Sequence, residues 1–71
     1  MGDTLAKLNG RQVDYLERQA EIVRLFEEGE FSYMSTYQKG VLRGYLECLC
    51  QAGVIKGNEI TPLYEYYIEI K

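Results

Sequence analysis

Thr61-Pro62-Leu63-Tyr64-Glu65-Tyr66-Tyr67-Ile68-Glu69-Ile70 decides the fold class of this chain. From Tyr64 onward polar and apolar residues alternate, with Tyr64, Tyr66, Ile68 and Ile70 on one side, and the segment is rich in strand formers. Upstream, Val54-Ile55-Lys56 followed by Gly57-Asn58 reads as a short strand entering a tight turn. Together these predict a small C-terminal β-hairpin. Thr61-Pro62 also suits a helix N-cap and first turn, so the competing expectation is a helix over 62–70. Period and residue type favour the strand. The expected fold is therefore α+β, two main helices with a β-hairpin. The alternative is an all-α three-helix domain.

The two main helices are plainer. Over 11–28 the apolar residues Val13, Tyr15, Leu16, Ala20, Ile22, Val23 and Phe26 fill about half of a helical wheel, with charges opposite and Leu25 alone out of place. Gly29 is the natural stop. Ser35 with Gln38 three residues on matches a capping box for a helix over 36–52, whose face carries Tyr37, Val41, Leu42, Tyr45, Leu46, Cys48, Leu49 and Ala52. Gly53 ends it, and Val54 or Ile55 supplies the accompanying apolar contact. A short helical turn over 4–8 is stopped by Asn9-Gly10, a pair that readily takes positive φ. Leu16, Val23, Phe26, Val41, Tyr45, Leu49 and Ile55 are the expected core joining the main helices.

Seventy-one residues make one small domain, 1–71, whose core is limited enough that self-association or a bound partner would help it. Eleven acids against eight bases give a net charge of −3, the wrong sign for a nucleic-acid or anionic-membrane footprint. No apolar run approaches the roughly 18 residues of a membrane span. Met1-Gly2-Asp3-Thr4 has neither the basic start of a signal peptide nor, with Ala6, a complete myristoylation motif. A cytoplasmic protein is the expectation.

Chemistry is hard to place in this sequence. Cys48 and Cys50 point about 200° apart on one helix, and there is no histidine to complete a metal site or activate a thiol. Glu17 with Glu21, or Glu27 with Glu28, sits on a solvated face among arginines, without the pocket that general acid–base catalysis needs. Gly40 and Gly44 lie inside a helix and form no phosphate loop. No catalytic residue, cofactor or metal is expected.

Two features remain. Gly40 and Gly44, four apart in a helix, would let another backbone approach closely. Seven tyrosines with no tryptophan are more than so small a core absorbs, and tyrosine is enriched at interfaces. Tyr64, Tyr66 and Tyr67, with Gly40 and Gly44, are the expected partner-binding residues, and Tyr67 is the expected exposed anchor. The function this suggests is a non-enzymatic protein-binding module, a small inhibitor or regulator of the viral or mobile-element type, with a protein partner for which a second copy of the chain, in a homodimer, is one candidate.

The order helix, helix, Ala52-Gly53-Val54-Ile55, turn and tyrosine-rich strand resembles a winged-helix domain over about residues 20–70. That resemblance implies a DNA-binding regulator in which the 36–52 helix is the recognition helix and Lys39 and Arg43 face the nucleic acid. Between Gly29 and Ser35 few residues remain for the helix that should precede it. The negative total charge also argues against nucleic acid. Protein binding ranks first.

Overall fold

The computed structural model describes residues 2–69. Among these the chain is all-helical: α1 (Gly2–Leu5), α2 (Gly10–Glu28), α3 (Met34–Gln51), a 3-10 turn (Gly57–Glu59) and α4 (Ile60–Glu69). The expected β-hairpin is absent among the described residues, and the all-helical alternative holds. The place expected for Ile70 on a strand face lies outside the described residues, as do Met1 and Lys71.

The tail is helical because a second period runs through the same letters. Ile60, Leu63, Tyr64, Tyr67 and Ile68 recur at i, i+3, i+4, i+7 and i+8, an unbroken helical stripe. Leu63 and Tyr67 are buried on that stripe, while Ile60, Tyr64 and Ile68 pack against the core. The start is set locally. Glu59 accepts a hydrogen bond from the Lys56 backbone N–H at 2.7 Å and returns its own N–H to the Lys56 carbonyl at 2.9 Å. Pro62 falls in the first turn, where its missing N–H costs nothing.

α2 is capped by Asn9, whose side chain accepts from the Gln12 N–H at 2.8 Å while Gln12 accepts from the Asn9 N–H at 2.9 Å. Asn9 lies in extended backbone, so it starts a helix and does not stop one through positive φ. The expected Ser35–Gln38 box does not form. α3 begins two residues earlier, at Met34 behind Tyr33, with no side-chain cap. Ser35 and Gln38 are both buried, and Gln38 Nε2 instead donates to Gln19 Oε1 of α2. At its other end α3 closes as expected. Val54 N–H reaches the Leu49 carbonyl (2.9 Å), Gly53 N–H reaches that of Cys50 (3.0 Å), and Gly53 takes φ +80°. This is the Schellman arrangement.

α4 packs on the α2–α3 hairpin, more on α3 than on α2. Their seam is Leu16 and Ala20, then Leu42, Leu46 and Leu49, then Leu63 and Tyr67, with Leu8 and Ile55 closing it from the connections. Each fully buried leucine contributes about 1.5–3 kcal/mol. Of the expected core, Leu16, Val23, Leu49 and Ile55 are buried. Phe26, Val41 and Tyr45 are only half-buried. The expectation assumed two helices meeting alone, whereas α4 draws the seam toward Leu42 and Leu46.

Candidate protein-binding surface

The tyrosines of the tail do not form one exposed surface. Tyr67 is 2% exposed, a core residue and no anchor, because position 67 is on the inner stripe of α4. Burial pushes its hydroxyl above the ordinary tyrosine range, with smaller contributions from Glu17 and Tyr66. Tyr64 is half-buried beneath the Arg43 guanidinium, 5.5 Å from the ring centroid. Tyr66 alone is presented to solvent, its ring edge-on to Tyr67 at 5.1 Å.

Gly40 is exposed and Gly44 half-buried. A Cβ built on either would meet nothing within 4 Å, so no other part of the described chain approaches them. They are not an internal helix-packing groove.

The two cations assigned to nucleic acid are held within the chain. Lys39 pairs with Glu27 of α2 at 2.9 Å, and this hydrogen bond raises its pKa and keeps it charged. Arg43 lies 3.7 Å from Glu47, donates to Thr61 Oγ1 at 3.3 Å and covers Tyr64. With no strand among the described residues there is also no wing. The winged-helix arrangement is therefore not this fold.

The exposed apolar side chains gather elsewhere. Leu25 is 61% exposed, Phe31 55%, Tyr33 71% and Tyr37 67%, all within one helical turn of the connection between α2 and α3. The rings of Phe31 and Tyr33 meet edge to face at 6.1 Å. Leu25 had stood out on the helical wheel, and Phe31-Ser32-Tyr33 is apolar where a helix-to-helix turn is ordinarily polar. Those two signals mark the place in the sequence. The conspicuous tail tyrosines obscured them.

Other chemistry is sparse. Among the described residues no three metal-capable side chains converge. Cys48 is exposed and Cys50 half-buried, both free thiols. Tyr45 stacks on Tyr15 at 4.3 Å, and burial, then Tyr15, then Cys48 raise its hydroxyl above the usual range. A shallow groove of about 360 Å³ lies along α2 between Arg11, Asp14, Tyr15, Arg18 and Gln19. No helix among the described residues is long and apolar enough to cross a membrane. No family model, no curated protein and no solved structure matches this chain.

Proposed function

We propose that this chain is a non-enzymatic protein-binding module, a small inhibitor or regulator that engages its partner through the aromatic end of the α2–α3 hairpin. The observation that carries this reading is the exposure of Phe31, Tyr33 and Tyr37 at the connection between α2 and α3. Clustered exposed aromatics contribute little to this fold, and such patches mark protein-interaction sites. Tyrosine and phenylalanine lose few rotamers on docking and give large contact area, which suits them as anchors. Glu30, exposed between Gly29 and Phe31, gives the patch an acidic rim and favours a partner whose apolar pocket is edged by basic groups.

The test is capture from lysate of the source cells with immobilised wild-type chain, a Tyr33→Ala/Tyr37→Ala variant and a Tyr66→Ala variant. Circular dichroism first establishes that all three keep the same helicity. The proposal expects a specific partner retained by wild type and Tyr66→Ala and lost by the double variant. Equal retention by the double variant overturns it.

A further inference from the structure

The outer side of α2 carries a stripe that the fold covers only in part, with Ile22 half-buried and Arg11, Tyr15, Arg18 and Leu25 exposed. Arg11, Tyr15, Arg18, Ile22 and Leu25 follow one another at spacings of four and three, the seam of a helix made to meet another helix lengthwise. Asp14, Glu21 and Glu28 run along its edge. The core residues Leu16, Ala20 and Val23 lie on a different side of the helix. Tyr15 is braced against Tyr45 of α3 and still 37% exposed, and the shallow groove along α2 opens beside it. Arg11, Arg18, Glu21 and Glu28 are exposed, and among the described residues none of their side chains makes a hydrogen bond or ion pair.

The order of these charges is informative. α2 has no acid in its first turn and no base in its last; Arg11 stands near its N-terminus and Glu28 at its C-terminus. Both oppose the helix dipole, which favours acids at the start and bases at the end. Within one chain this arrangement is unfavourable. Beside an antiparallel copy it becomes complementary, because the basic half of each stripe meets the acidic half of the other.

We propose that a second copy of this chain covers the stripe, its α2 running antiparallel about a twofold axis that crosses the outer side of the helix midway between Arg18 and Glu21. In this register Arg18 faces the partner's Glu21 and Arg11 faces the partner's Glu28, and symmetry repeats both contacts. Leu25 lies over the partner's Tyr15, with Asp14 at the outer edge and no like charges opposed. A parallel copy would set like charge on like, so the pattern selects the antiparallel dimer. The dimer does not depend on the role of Phe31, Tyr33 and Tyr37, and it carries one aromatic end at each extremity.

Sedimentation equilibrium of the full chain over a concentration series tests this, with circular dichroism as the check on folding. Wild type should have the mass of two chains. Arg18→Glu and Glu21→Arg should each weaken the dimer about tenfold or more, because each opposes like charges twice. The double variant Arg18→Glu/Glu21→Arg should restore it. An equimolar mixture of Arg11→Glu/Arg18→Glu with Glu21→Arg/Glu28→Arg should form heterodimers from two monomeric species. A wild-type chain that stays monomeric throughout overturns the proposal. So does a dimer indifferent to the single reversals, or one that the double reversal fails to rescue.

Discussion

Lys7 and Glu59, 52 residues apart in sequence, are joined by an ion pair at 2.9 Å that fastens the N-terminal segment to the turn opening α4. Thr4 Oγ1 donates to the same carboxylate at 2.8 Å. Together with the Lys56 N–H, which contributes most, these donors lower the Glu59 pKa from 4.5 to about 2. A depressed carboxylate stabilises the fold above its unfolded value, and that stabilisation disappears as pH falls from 4.5 toward 2. Glu59→Gln should therefore be less stable than wild type at pH 7. The gap should close progressively across that acid window in urea titrations run at each pH. A gap independent of pH would mean that the charge of Glu59 is not what holds the strap.

Gln19 and Gln38 form a buried amide pair between α2 and α3. Removing one partner leaves the other's polar atoms without a partner in a low-dielectric site. Gln38→Ala should cost about 1–3 kcal/mol from that alone. Gln19→Leu/Gln38→Leu removes both polar groups and should recover most of the loss. Chemical denaturation of Gln19→Leu, Gln38→Leu and the double variant gives the coupling directly. Additive losses would mean that the amide pair is not a unit.

Both main helices and the Gly53 stop could be read from the sequence because a single apolar period runs through each helix. Their starts could not: Asn9 reads as a stop yet caps α2, and Ser35 with Gln38 forms no box. The tail could not, because Tyr64, Tyr66 and Ile68 satisfy a strand period while Ile60, Leu63, Tyr64, Tyr67 and Ile68 satisfy a helical one. What separates them is a surface to pack against, which the Leu42 and Leu46 side of α3 supplies and which no local pattern reveals. The candidate site suffered the same way. Exposure of Tyr67 followed from the strand and reversed with the helix, whereas Tyr37, expected on the apolar face of its helix, is 67% exposed because it lies in the first turn, beyond the reach of the α2–α4 seam.

Tyr66 and Tyr67 should accordingly respond in opposite ways to truncation. Tyr67→Ala empties a position 2% exposed in the seam of three helices and should cost about 3–5 kcal/mol, a large part of the stability of so small a domain. Tyr66→Ala removes a side chain 39% exposed and should cost under about 1 kcal/mol. Thermal melts distinguish the two at once. Comparable losses would return the tail to a different packing.

The glycines of α3 divide on the same grounds. Gly40 and Gly44 are helical, and a methyl group added to either meets nothing within 4 Å. Each glycine weakens the helix by about 0.5–1 kcal/mol relative to alanine, through the backbone freedom lost on folding. Gly40→Ala and Gly44→Ala should therefore stabilise by about that amount each, raising the melting temperature several degrees for a chain this size. Gly53 also has open space around it, yet its φ of +80° is strained for any residue with a Cβ. Gly53→Ala should destabilise by about 1–2 kcal/mol and fray the last turn of α3. Calorimetry on the three variants decides between them, since available space is the same at all three positions and backbone conformation is not. A Gly44→Ala chain that melts lower than wild type would place another backbone against that position, and the contact would have to come from outside the described chain.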